Sequence, residues 1–217
     1  MNENSTPGPD GFTGRFHKTC WDIIKSDLMA AIDLYFHDFP LPVSFTATML
    51  MLIPKVASAT NMSQLRPISL CNFCHKIISR LLSSRLSGLL PRLISEEQVG
   101  FVQGRCIHEN VCLAHDLAHD LNNKIFGGNV IIKLDMAKAY SVKWDGKMYA
   151  FFHSRRGVRQ GDPLLPTLFV LAMELLSKAL KNAIGTGTLP KYYTAPHALA
   201  INHLLFADDL LIFTNGA

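Results

Sequence analysis

The sequence predicts a mixed α+β fold, and three observations carry that expectation. The stretch Phe206-Ala207-Asp208-Asp209-Leu210-Leu211-Ile212-Phe213 sets an acidic pair between two short apolar runs, Leu204 to Ala207 and Leu210 to Phe213. The runs read as two strands of a tight hairpin, with Asp208 and Asp209 in its turn. Asn129 to Leu134 is a β-branched run, a further strand that delivers Asp135. Between these, longer stretches repeat their apolar residues at helical spacing.

Taken in order, Pro7-Gly8-Pro9-Asp10-Gly11 is a turn-rich opening. Cys20 to Phe39 follows as a helix, with Trp21, Ile24, Leu28, Ile32 and Phe36 at near-helical intervals and Pro40 and Pro42 ending it. Phe45 to Pro54 is apolar and β-compatible, closing on Lys55. A polar loop, Ala57 to Gln64, leads to Arg66-Pro67-Ile68-Ser69. Asn72 to Ile94 is a second helix with alternating apolar and basic faces, broken or shifted at Pro91. Gln98 to Arg105 is a glycine-punctuated loop. Glu109 to Phe126 is a third helix, stopped by Gly127-Gly128. Lys147 to His153 reads as another strand, Arg155 to Pro166 as a basic loop, and Thr167 to Ile184 as an apolar helix.

Composition narrows the class. The chain is 48% hydrophobic and 18% charged, which suits a folded core and not a disordered tail. The net charge of +4 is compatible with a polyanionic partner. The first residues lack the apolar core of a secretory signal, and no run is long enough to span a membrane. Five irregularly spaced cysteines read as reduced thiols, so the expected setting is intracellular, nucleus or cytoplasm, and not secreted.

Clustered carboxylates are costly to desolvate unless a cation joins them. If the strands carrying Asp135 and Asp208-Asp209 are neighbours, three carboxylates meet at one sheet edge, as a two-metal phosphoryl-transfer site requires. The plainer alternative is an exposed Asp-Asp turn.

Seven motifs in one order carry a resemblance. Lys133 to Tyr140 resembles the first palm motif of non-LTR (LINE-type) retrotransposon reverse transcriptases, particularly those of plants. Arg156-Gly157-Val158-Arg159-Gln160-Gly161-Asp162-Pro163-Leu164 resembles their second palm motif, and Phe206-Ala207-Asp208-Asp209 their catalytic hairpin. Pro7 to Phe12, Leu52-Ile53-Pro54-Lys55, Arg66-Pro67-Ile68-Ser69 and Gln98-Val99-Gly100-Phe101 match the fingers motifs. The resemblance implies an RNA-directed DNA polymerase. Its architecture would be right-hand fingers over residues 1–128 and a partial palm over 129–217, with a ferredoxin-like antiparallel sheet and no thumb. Asp135, Asp208 and Asp209 would be catalytic and hold two Mg²⁺ ions, or Mn²⁺. Lys55, Arg66, Tyr140, Gln160 and Gly161 would meet the incoming dNTP, Tyr140 as the gate against a 2′-hydroxyl. Arg155, Arg156 and Arg159 would contact the RNA template and DNA primer.

This copy departs from the pattern. Between Tyr140 and Arg155 lie only 14 residues, too few for the family's palm helix beside two strands. An internal deletion near 140–141 is therefore expected, and with it an uncovered apolar sheet face. Leu165 also stands where the family commonly has Ser. The expectation is little or no polymerase activity from this chain alone. The alternative from another class is a non-catalytic nucleic-acid-binding remnant; a maturase-like intron polymerase is a third reading, opposed by the plant-like upstream motifs. Cys71-Asn72-Phe73-Cys74-His75 fits the spacing for covalent haem attachment, but without an export signal no haem is expected. Cys106, His108, Cys112, His115 and His119 fit no zinc-finger spacing and read as helix-face residues.

Overall fold

The computed structural model of the chain describes residues 2–122, 125–135, 159–194 and 201–216. Among these, helices and antiparallel strands mix, as the periodicities predict, and the chain divides into two compact units. One takes in the described residues of 2–83 and 159–165, the other those of 84–135 and 166–216.

In the first unit, a short helix α1 (Gly14–Thr19) is capped by Thr13, whose hydroxyl accepts from the Phe16 N–H. Helix α2 (Trp21–Phe36) buries Leu28 and Ile32. Its end is set by Asp38, which adopts φ 64, a left-handed cap of the kind short polar side chains tolerate. A turn of helix, α3 (Val43–Thr46), precedes strand β1 (Thr48–Pro54), which pairs antiparallel with β2 (Leu65–Cys71). Helix α4 (Phe73–Ser87) lays Ile78 against Leu28 and Ile32 to make the core. Strand β2 has no signature in the sequence, because Pro67 lies in its middle. A two-stranded ribbon tolerates it, since among the described residues each strand has one ladder partner and a missing N–H can face away from it. The opening loop is pinned by Asn72: its Oδ1 accepts from Asp10 N–H and its Nδ2 donates to the Ser44 carbonyl at 2.6 Å. Gly8 lies so close to Asn72 that a Cβ would sit 2.4 Å from the side-chain oxygen.

In the second unit, the expected single helix over 72–94 is interrupted: after Ser87 only a four-residue turn, α5 (Leu90–Leu93), continues, with Pro91 in its first turn. Helix α6 (Ile107–His119) passes into a 3₁₀ turn, Asp120–Asn122, earlier than Gly127. Strand β3 (Asn129–Asp135), helix α7 (Leu165–Gly185) and strands β4 (His203–Phe206) and β5 (Asp209–Asn215) follow. The sheet is antiparallel in the order β3-β5-β4. One face carries Ile131, Leu204, Leu211 and Phe213 against Leu117 of α6 and Tyr192. The other carries Leu205, Leu210 and Ile212 against Met173 and Phe169 of α7. Val130, Ile132 and Leu134 of β3 are 38, 40 and 44% exposed. The expected strand at Lys147 to His153, the junction near 140–141, and Tyr140, Arg155 and Arg156 lie outside the described residues. No helix among the described residues is long and apolar enough to cross a membrane.

Candidate functional site

The register of the three-stranded sheet brings distant acids together. Asp135, the last residue of β3, is the direct cross-strand partner of Asp209, the first of β5. Asp208 occupies the adjacent two-residue turn, since Phe206 pairs with Asp209. Directly opposed residues share a face with Cβ atoms about 4.5–5.5 Å apart, and like charges there repel. At this edge Lys133 Nζ lies 4.0 Å from Asp209 Oδ1, both side chains largely exposed, an ion pair that offsets little of that repulsion. Such a set of hard oxygen donors fits a divalent cation. The three carboxylates are not already drawn within 4.8 Å of one another; among the described residues the group that is comprises Cys71, His75 and Asp162.

The acidic turn is held in an unusual shape. Ala207 adopts φ 54, a conformation that a residue with a Cβ takes at a penalty of about 1–2 kcal/mol. Its amide is held by Gln98, whose Oε1 accepts from Ala207 N–H at 3.1 Å and from Gly100 N–H at 2.9 Å. Gln98 is wholly buried, and because both neighbours of its oxygen are donors, the amide orientation is fixed with Nε2 left unpartnered. Gly100 passes so near that a Cβ would lie 2.5 Å from the Ala207 nitrogen. Backbone bonds continue the support: Leu205 N–H donates to the Glu97 carbonyl at 2.9 Å and Val99 N–H to the Leu205 carbonyl at 3.2 Å, while Asn110 Nδ2 donates to both carbonyls. This segment is in turn anchored by Arg105, whose guanidinium donates to the carbonyls of Ile94, Ser95 and Gln98, and by Glu174, which accepts from Ser95 N–H and Oγ–H. The sequence shows Gln98 and Gly100 as a motif but not what they hold; Arg105 and Glu174 carry no signal in it.

The other expected residues that are described, Lys55, Arg66, Arg159, Gln160 and Gly161, lie in the first unit. Lys55 and Arg66 stand at the far end of the β1–β2 ribbon, Arg66 opposite Ile53. Lys55 closes the connection through its N–H to the Gln64 carbonyl at 2.8 Å and its Nζ to the Ser63 carbonyl. Gln160 and Gly161 lie along β2, where Ser69 N–H donates to the Gln160 carbonyl at 2.8 Å. Gly161 has φ 101, and a Cβ there would meet the Ser69 carbonyl at 3.1 Å, so this position needs glycine. Arg159 donates to the Thr46 carbonyl at 3.3 Å and approaches His75 Nε2 at 3.5 Å. Asp162 Oδ1 accepts from Leu164 N–H, and Oδ2 lies 3.2 Å from His75 Nε2. Burial pushes the Asp162 carboxyl up, but the contact with His75 and the Leu164 amide more than offset it, and it titrates below its ordinary 3.8.

The chain is similar to known proteins. The family described as reverse transcriptase (RNA-dependent DNA polymerase) matches residues 53–217. The transposon TX1 uncharacterized 149 kDa protein of Xenopus laevis is 28% identical over 248 residues, covering 97% of this chain and 19% of that protein. The retrovirus-related Pol polyprotein from the type-2 retrotransposable element R2DM of Drosophila melanogaster is 27% identical, covering 97% of this chain and 22% of that protein. An uncharacterized mitochondrial protein of Arabidopsis thaliana is 52% identical over 54 residues, 25% of this chain and 44% of that protein. The chain thus spans about a fifth of the length of the first two relatives.

Proposed function

Because this chain belongs to the reverse transcriptase (RNA-dependent DNA polymerase) family, as a domain of the non-LTR retrotransposon kind, we propose that Asp135, Asp208 and Asp209 are its catalytic carboxylates. The observation that carries this is the register: residues 74 positions apart in the chain, Asp135 and Asp209, are direct cross-strand neighbours, with Asp208 in the turn beside them. These oxygens would hold Mg²⁺, or Mn²⁺ in its place. When bound, the metal supplies a more acidic primer 3′-hydroxyl and neutralises triphosphate charge. From their fixed places at a sheet edge and its turn these residues would hold the ions, and Gln98 keeps the turn from relaxing.

In the fingers, Lys55 and Arg66 would meet triphosphate oxygens, Gln160 and Gly161 the base pair being formed, and Arg159, with Arg155 and Arg156, the nucleic-acid backbone. The substrates would be an RNA template, a DNA primer and dNTPs, met in the nucleus or cytoplasm. The Arabidopsis match supports a plant element.

The same reading makes this chain a poor polymerase by itself. The Xenopus alignment runs over 248 residues although the chain has 217, so that relative carries residues inside the aligned stretch that this chain lacks. The exposed row Val130, Ile132 and Leu134 supports a missing cover on the sheet beside Asp135. RNA binding, which rests on distributed cations, should outlast polymerisation, which needs a primer end held to within about 0.5 Å. Primer extension by the purified chain with Mg²⁺, run beside a salt titration of RNA binding, tests this. Salt-sensitive RNA binding with extension at or near background is the expected result. Robust extension abolished by Asp208→Asn would keep the catalytic assignment and overturn the inactivity. Robust extension indifferent to Asp208→Asn would overturn the assignment.

A further inference from the structure

In the first unit three metal-ligating side chains of different kinds meet, outside the acidic edge. Cys71 ends β2, His75 lies one helical turn on in α4, and Asp162 comes from the loop that follows Gly161. One donor atom from each lies within 4.8 Å of the other two. We propose that Cys71, His75 and Asp162 form a binding site for a borderline-soft divalent ion of the Zn²⁺ class. The donor set is one that zinc accepts: thiolate, imidazole and carboxylate. Zinc at about 2.0–2.3 Å from each donor holds tetrahedral ligands roughly 3.3–3.8 Å apart, so a contraction of about 1.5 Å or less closes the site.

Three local features support a ligand here. Cys71 is buried to 1% exposure, and the side chains of His75 and Asp162 are 19% and 14% exposed, so an ion would sit largely out of water. His75 engages Asp162, Ser79 and Arg159 at Nε2, while its Nδ1 is buried without a hydrogen-bond partner, so the imidazole is not fully satisfied by the protein. The Thr48 hydroxyl donates to Cys71 Sγ at 3.6 Å, as groups around metal-bound thiolates do. Arg159 stands 3.5 Å from His75 Nε2, and a bare dication beside it would be repelled. Thiolate and carboxylate cancel a divalent charge between them, however, so Arg159 faces a neutral centre. Occupancy would tie the loop carrying Gln160 and Gly161 to β2 and α4, adding to the Ser69–Gln160 backbone bond. This site's donors favour a softer ion than the oxygen-only set of Asp135, Asp208 and Asp209.

Cobalt is the probe, because a thiolate bound to Co²⁺ gives a charge-transfer absorption that oxygen donors do not. The full chain, stripped with a chelator and titrated with Co²⁺, should bind one equivalent with that absorption and should release it to Zn²⁺. Cys71→Ser should abolish the absorption, Asp162→Asn should weaken uptake at least about tenfold, and Cys106→Ser with Cys112→Ser should change neither. Zn²⁺ should raise the thermal midpoint of the wild type and of Asp162→Asn unequally, the wild type more. A wild-type chain with no thiolate band, or a band that survives Cys71→Ser, overturns the proposal. So does a band that survives Asp162→Asn at undiminished affinity, which also decides the matter if Cys71→Ser fails to fold. Loss of the band in a variant lacking all three of Asp135, Asp208 and Asp209, with fold intact, overturns it as well.

Discussion

At the Gln98 side chain a single oxygen holds two backbone N–H groups, one on its own loop and one on the acidic turn. Gln98→Leu keeps the volume and strands both donors in a buried place, at about 1–3 kcal/mol. More telling than that loss is its location: Ala207, freed at φ 54, relaxes toward an ordinary conformation and swings Asp208 with it. The variant should unfold at lower urea and bind Mn²⁺ at least about tenfold more weakly at the acidic edge, whereas an equally destabilising change far from the turn should lower stability alone. Equal Mn²⁺ affinity in Gln98→Leu and wild type would remove Gln98 from the site. A second buried group sets acid sensitivity. His203 is fully buried; its Nδ1–H donates to Asn202 Oδ1, which leaves Nε2 to accept from the Ser177 hydroxyl at 2.7 Å. Burial lowers its pKa from the ordinary 6.5, aided by Lys181 and opposed by Glu97 and Glu174. A histidine with a depressed folded value is neutral in the native state and takes up its proton more readily when unfolded. Its contribution is therefore intact above 6.5 and is lost as pH falls below that value toward the lower folded one. Urea midpoints measured across that window should drop in the wild type and drop less in His203→Gln; parallel curves would show that another group governs.

At the scale of elements, periodicity made the helices and the sheet legible where one face is apolar. Helices α2 and α7 and strands β4 and β5 follow the spacing of their buried residues, whereas β3 follows its β-branched run although none of its residues is fully buried. Strand β2 hides behind Pro67, and the loop from Ser95 to Arg105 hides because its order comes from polar contacts that no period encodes. The residues of the acidic edge could be named from their places at strand ends, but their juxtaposition depends on register, which the sequence does not state. The meeting of His75 with Asp162 joins residues 87 positions apart and has no sequence signal at all. Arg105 is the strongest case of a hidden anchor. Its planar fork reaches the carbonyls of Ile94 and Gln98 at 2.7 and 2.6 Å, satisfying the end of α5 and the start of the loop that supports Ala207. Arg105→Lys keeps the charge but loses the fork. It should destabilise the chain by about 2–3 kcal/mol in urea unfolding and raise amide exchange over residues 94–105. A loss under roughly 0.5 kcal/mol would mean that the loop is held by Glu174 alone.

For the whole molecule the question is what covers the apolar row that β3 leaves exposed. The sheet in the second unit packs α6 on one face and α7 on the other, and α7 reaches β4 and β5. Val130, Ile132 and Leu134 of β3 are left 38–44% exposed, three apolar side chains in a row on what is, among the described residues, an outer strand of the sheet, an arrangement that invites association between chains. If the relatives' additional residues supply that cover, inserting the corresponding segment from the Drosophila R2 protein after Tyr140 should bury the row. The chimera should bind less of a hydrophobic dye, stay monomeric to higher concentration and melt at a higher temperature. Replacing Ile132 and Leu134 by Thr in the present chain should reduce dye binding in the same way without raising the melting temperature, because it removes the exposed surface but adds no packing. If the chimera gains nothing while the double substitution lowers the melting temperature markedly, the row is already packed in solution and the missing-cover account fails. If both behave as expected, the chimera is also the form in which primer extension should first appear, since it restores packing beside Asp135 while leaving Asp208 and Asp209 untouched.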